Sequence, residues 1–156
     1  MTNAPDVVWG IRDKGNTGPK TLEQKFALLA GLIYVGIGLV GFIPTGFNDW
    51  VANTDERLLW IFQVNPFHNI IHIGVGALWL LAALVLTPPA TEGVNLSIGA
   101  VYVLAGILGY IGALSLISID IGAPLDPDNF LHVGTGLITL LFAGPLRALR
   151  RQPVGV

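Results

Sequence analysis

Four long stretches of this 156-residue chain contain no Asp, Glu, Lys or Arg: residues 26–43, 70–86, 96–119 and 130–146. At a rise of about 1.5 Å per residue, each is close to long enough to cross a hydrocarbon core of about 30 Å as a helix. A soluble four-helix bundle would need a polar stripe on every helix, and these stretches have almost none. The chain is 53% hydrophobic and 12% charged, against roughly 25% charged in an average soluble domain. The pattern predicts an all-α membrane protein with four transmembrane helices at about 25–44, 66–87, 95–118 and 128–147.

The basic residues orient it. Arg12, Lys14, Lys20 and Lys25 precede the first span, and Arg147, Arg150 and Arg151 follow the last; Arg57 alone lies in the opposite loops. By the positive-inside rule both termini are cytoplasmic. The polar first twenty residues have no apolar core of the kind a cleavable signal peptide needs. Residues 1–20 and 148–156 read as cytoplasmic tails around a membrane domain at 21–147.

Local signals place the helix ends. Thr21-Leu22-Glu23-Gln24 fits a capping box. Asn65-Pro66 and Asp126-Pro127 each join a capping side chain to a proline at the first helical position. Pro88-Pro89 reads as the end of the second span, with the third starting near Asn95. In the first outer loop, Asn53-Thr54-Asp55-Glu56 followed by residues 58–62 predicts a short interfacial helix anchored by Trp50 and Trp60.

The two halves are related. A shift of 60 lays Asn69, His72, Gly74, Gly76, Leu80, Leu81 and Ala83 on Asn129, His132, Gly134, Gly136, Leu140, Leu141 and Ala143. A shift of 68 lays Gly31, Tyr34, Val35, Gly38, Gly41 and Ile43 on Gly99, Tyr102, Val103, Gly106, Gly109 and Ile111. This predicts two helical hairpins, about 21–89 and 93–147, repeated in parallel about an axis along the membrane normal. The Gly31, Tyr34, Gly38, Gly41 stripe and its copy at Gly99, Tyr102, Gly106 and Gly109 have the spacing of a helix-packing seam, where small residues let backbones approach.

Chemistry could reside in the three histidines. His68 and His72 are one turn apart, and His132 is the repeat mate of His72. Three uses compete. The histidines could act with Asn65, Asn69 and Asn129 as a structural polar cluster that hydrogen-bonds helices together, the reading preferred from the sequence. His72 and His132 could ligate a b-type haem, with Gly74, Gly76, Gly134 and Gly136 making room for the ring. Or His68, His72 and His132, with Asp126 or Asp128, could hold a divalent metal. The absence of Cys removes thiolate-ligated metals. No nucleotide-binding loop, nucleophile elbow or zinc-protease motif is present.

The run Asn65-Pro66-Phe67-His68-Asn69-Ile70-Ile71-His72, with Asn129-Phe130-Leu131-His132 one repeat later, resembles a small four-helix membrane family of bacteria, mainly actinobacteria. That family is catalogued only as a domain of unknown function. The resemblance covers about residues 21–147 and implies a topology but no activity. The expected function is therefore a non-catalytic accessory or scaffold subunit, not an enzyme. Its partners are the lipid bilayer and other membrane proteins, not nucleic acid, and it needs no cofactor. A haem- or metal-binding redox subunit is the alternative.

Overall fold

The computed structural model describes residues 10–12, 18–51, 56–114 and 125–145. The tails beyond them, Asn53, Thr54 and Asp55, and the expected span ends at 115–118 and 146–147 lie outside the described residues. The fold is all-helical apart from one minimal strand pair. In chain order it has α1 (Leu22–Thr45), β1 (Arg57–Leu58), β2 (Phe62–Gln63), α2 (Pro66–Val85), α3 (Pro88–Tyr110) and α4 (Pro127–Leu141). Three of the four helices, α1, α2 and α3, are long and apolar enough to cross a membrane. The described α4 has 15 residues, about 22 Å of helix.

Helix starts follow their capping chemistry. Thr21 and Gln24 form the reciprocal capping box of α1, satisfying two backbone N–H groups that the first turn leaves unpaired. Asn65 accepts a bond from the His68 N–H to open α2, and Asp126 accepts one from the Asp128 N–H to open α4.

Two sequence expectations are corrected. Pro88 and Pro89 do not merely close α2; they open α3, at its first two positions behind Thr87. Those positions need no N–H donor, so proline costs nothing there. Asn95, expected near the helix start, therefore lies two turns inside it. The other end of α3 also comes early, because Gly112 takes a left-handed φ of 70° just past Tyr110, the usual glycine stop. The second correction concerns the first outer loop. Residues 57–63 form a β-hairpin, with Arg57 opposite Gln63 and Leu58 opposite Phe62, not an interfacial helix. Leu59 and Trp60 both take positive φ at its turn, as a tight hairpin turn demands. The hairpin form lets Leu58 and Val64 turn inward while Trp60 stays 90% exposed; one helical turn could not separate them so.

The helices pair through glycine. A Cβ on Gly31 would lie 2.8 Å from the Gly76 carbonyl oxygen, and one on Gly38 would lie 2.6 Å from the Asn69 carbonyl oxygen. Increasing numbers on α1 thus meet decreasing numbers on α2, so the two run antiparallel. Contacts displaced by 68 and 60 residues join α3 to α4: Gly99 meets the Gly136 carbonyl and Gly106 the Asn129 carbonyl. Gly41 and Gly109 leave room for the carboxamides of Asn69 and Asn129. Every glycine of the expected seams is at a close contact, with backbone at Gly31, Gly38, Gly99 and Gly106 and with an asparagine carboxamide at Gly41 and Gly109, and Tyr34 and Tyr102 turn inward from the same helices.

Between the pairs lies a core of Ala27, Ala30, Tyr34, Trp79, Ala83, Ile98 and Tyr102. The fully buried Trp79 indole donates to Asn95 Oδ1 at 3.1 Å, and Asn95 Nδ2 donates to the Phe142 carbonyl at 2.9 Å. Nothing in the periodicity singles out this link between α2, α3 and the end of α4. The carbonyls at the end of α2 also find partners: Thr91 Oγ1 donates to Ala82, Lys20 Nζ to Ala83, the Arg12 N–H to Val85 and Gln24 Nε2 to Leu86. Leu, Ile and Val dominate the outer surface of the helices, while Gln24, Asn65, Thr91, Asn95 and Thr139 are among the most buried side chains. That inversion suits a chain solvated by hydrocarbon.

Gly38→Leu and Gly106→Leu should each destabilise the fold by at least about 2 kcal/mol, since the new side chain meets backbone rather than a flexible neighbour. Gly74 and Gly134 face open space, so Gly74→Ala and Gly134→Ala should raise stability by about 0.5–1 kcal/mol. Thermal unfolding of the four variants in detergent measures both effects.

Candidate metal centre

The seam sets the rotation of α2 and α4, and thereby the direction of their polar residues. With Asn69, Ile73 and Gly76 turned to α1, the neighbouring stripe of His68, His72 and Trp79 faces inward. On α4, Asn129, Val133 and Gly136 meet α3, and the stripe of Asp128 and His132 turns to the same interior. Each helix supplies two groups one turn apart, and the shift of 60 that relates His72 to His132 also relates His68 to Asp128.

These four side chains meet. His68 Nε2 and His72 Nε2 share a hydrogen bond of 2.7 Å. Asp128 Oδ2 is 3.4 Å from His132 Nδ1 and 4.0 Å from His68 Nε2. One nitrogen from each histidine can be chosen so that all three lie within 4.8 Å of one another. Tyr34 packs its ring on His72 at 5.1 Å and Tyr102 packs on His132 at 5.3 Å, and the two tyrosine rings are 5.6 Å apart. The cluster is thus walled by an aromatic pair drawn from α1 and α3.

Its hydrogen bonding is incomplete. Nδ1 of His68 and Nδ1 of His132 are buried without hydrogen-bond partners; the 3.4 Å approach of His132 to Asp128 misses hydrogen-bonding geometry. Each such group costs about 1–3 kcal/mol. Structural glue would be expected to close these bonds.

The sequence-derived site residues divide accordingly. His68, His72 and His132 come together. His68 lies one turn closer to the helix start than His72, yet is only 4% exposed; Leu58, Phe62 and Val64 line the same cavity as it does. Each of the three asparagines has a helix contact of its own. Asn65 caps α2, Asn69 donates to Thr45 Oγ1 at 3.0 Å on the α1 side, and Asn129 lies against Gly109 on α3. Asp126 is occupied as the α4 cap, which leaves Asp128 as the carboxylate of the site. The repeat register, which sets Asp128 opposite His68, was the signal that could have singled it out. Gly76 and Gly136 do not make room for a ring, since Val35 and Val103 cover them.

Two apolar cavities flank the cluster. One, of about 300 Å³, lies between α1, α2 and α4 under the β-hairpin; the other, of about 280 Å³, lies on the α3 side. Both reach His68 and His72.

The model of a domain of unknown function, DUF4383, matches residues 24–144, most of the chain, and the chain belongs to that family. No curated protein and no solved structure matches it.

Given its burial, His68→Leu should destabilise the fold as much as His72→Leu does, by about 1–3 kcal/mol, through the unpaired nitrogen left on its partner. Chemical denaturation of both variants in detergent tests this; a harmless His68→Leu would show the pair to be unimportant.

Proposed function

We propose that this family member is an integral membrane protein that holds one divalent transition-metal ion between His68, His72, His132 and Asp128. The observation that carries the reading is the convergence of three imidazoles, two buried and one half-buried, whose nitrogens lie within 4.8 Å, two of them with an unpartnered Nδ1. A tetrahedral ion with bonds of about 2.0–2.1 Å to nitrogen sets its ligand atoms about 3.3 Å apart. The 2.7 Å contact of His68 with His72 would open by about 0.6 Å, and His132 would close inward. Three imidazoles and one carboxylate suit Zn²⁺, Fe²⁺, Ni²⁺ or Cu²⁺ and disfavour Ca²⁺ or Mg²⁺, which prefer all-oxygen shells.

A small ion is favoured over b-type haem. A porphyrin needs a broad slot between two axial nitrogens, and here a third imidazole and Asp128 crowd the same point. Arg57, the one basic residue expected near the propionates, donates instead to the Ile61 carbonyl within its own hairpin.

In this reading all four helices cross a bacterial plasma membrane with both termini cytoplasmic, and the chain is two copies of one helical hairpin. The seven-to-one distribution of basic residues supports the orientation, and the displaced glycine contacts support the duplication. The metal centre then lies near the outer face. No catalytic step is assigned to it. A supporting role as an accessory subunit draws on Gly36, Gly74 and Gly134, whose Cα atoms face open space and suit close helix docking by another membrane protein; co-purification in mild detergent tests it.

Protein purified in detergent should carry close to one transition-metal ion per chain by inductively coupled plasma mass spectrometry. His72→Leu and His132→Leu should each lower occupancy at least tenfold. Loss of the ion should also follow acidification below about pH 5, because protons compete for imidazoles that must be neutral to ligate. A metal-free protein that gives no ligand-field bands on titration with Co²⁺ would overturn the assignment. For the topology, an alkaline phosphatase fused after Val156 should be inactive; an active fusion would reverse the orientation.

A further inference from the structure

The two cavities beside the histidines are related by the same register as the helices, yet they differ. In the first, Tyr34 and Ile33 of α1 face Leu131, Thr135 and Ile138 of α4. In the second, Tyr102 and Val101 of α3 face Ile71 and Val75 of α2. The first therefore has Thr135 and Asp128 where the second has Val75 and His68. It also has a Trp79 wall, with the indole 5.0 Å from the Tyr34 ring.

The first cavity is closed at both ends and open at the side. Leu58 and Phe62 of the β-hairpin cover its outer end, and the stacked rings of Phe26 and Phe142, 4.3 Å apart, stand at the inner end. Between those ends no Cα of α1 comes within 8 Å of one in α4. Ile33 and Ile138, 47% and 52% exposed, stand at the mouth. They lie on the helix surface that hydrocarbon would solvate. Access is thus from the lipid phase, between α1 and α4, and it leads to two imidazoles, a carboxylate and two hydroxyls.

We propose that this cleft binds a single-ring phenol or quinone carried on an apolar tail, which enters sideways from the bilayer. An aromatic wall selects a flat ring over an acyl chain. Donors and acceptors converging from three helices select oxygen substituents on that ring. The volume of about 300 Å³ is at the lower end for small-molecule sites and is enough for one ring with its oxygen substituents. The tail leaves through the mouth between Ile33 and Ile138. Binding shares His68, His72 and Asp128 with the metal centre but does not depend on an ion, because the same groups can hydrogen-bond a ring oxygen directly.

The test uses the full chain in phosphatidylcholine nanodiscs and a decyl-substituted 1,4-benzoquinone as probe. Retained quinone and metal content are measured on the same samples. The expected result is about one quinone per chain above empty nanodiscs. Ile33→Trp and Ile138→Trp, which plug the mouth without touching the cluster, should lower retention at least tenfold and leave metal content unchanged. Val101→Trp, at the equivalent place on the other cavity, should leave retention unchanged. Decylbenzene, which lacks the oxygens, should not compete. Equal competition by decylbenzene would overturn the proposal in favour of a plain hydrocarbon groove, and so would retention unaffected by both plugs. Should either plugged variant fail to fold, the other and the decylbenzene competition decide the matter. Quinone retained by a protein that holds no metal would refute the metal centre alone.

Discussion

Close backbone contact between glycines is the constraint from which the rest of this structure follows. In hydrocarbon there is no solvent-driven force between apolar helices, so association depends on how closely backbones can approach. Gly31 against Gly76 and Gly99 against Gly136 supply that approach. They also set helix rotation. Once Gly76 and Asn69 are against α1, His68 and His72 have only the interior to face. The corresponding seam on α4 turns Asp128 and His132 to the same place. The polar centre is therefore positioned by residues that make no contact with it through their own side chains.

The interior carries an unusual share of polar groups for so apolar a chain. Most of them have clear structural work. Asn95 bridges Trp79 and Phe142, Gln24 and Lys20 satisfy carbonyls at the end of α2, and Asn69 reaches Thr45. Without water, each backbone group freed at a helix end needs such a partner. The histidine cluster departs from this pattern, with Nδ1 of His68 and Nδ1 of His132 buried without a hydrogen-bond partner. An incompletely bonded site among well-bonded ones is where a ligand is expected.

The pseudo-symmetry of the site has a chemical consequence. Identical halves would place two histidines from each of α2 and α4 at the centre. Replacing one of the four by Asp128 gives the site a formal negative charge opposite His68, and Thr135 in place of Val75 makes one flanking cleft more polar than the other. The site is thus directional. One side of the cluster faces a cleft with Tyr34, Trp79 and Thr135, and the other faces a cleft that is aliphatic apart from Tyr102 and the histidines.

Charge-free length, the capping pairs Thr21–Gln24 and Asn65–Pro66, and the glycine stripes are properties of short windows of chain, and all were legible in the sequence. Each rests on local physics: helix rise against bilayer thickness, unpaired N–H groups in a first turn, and the absence of a Cβ. Other features depended on neighbours far away in the chain. Prolines 88 and 89 can end one helix or begin the next, and only the short path from α2 to α3 decided which. Residues 58–62 are apolar enough for an interfacial helix, but the space above His68 selected a hairpin that buries Leu58 and Val64. His68 stands in the first turn of α2, yet it is buried in the assembled bundle. Sequence alone thus determined what each segment could become and which faces would meet. Tertiary structure decided which polar groups lost their water and converged, because burial is a property of the assembled helices and not of any one of them.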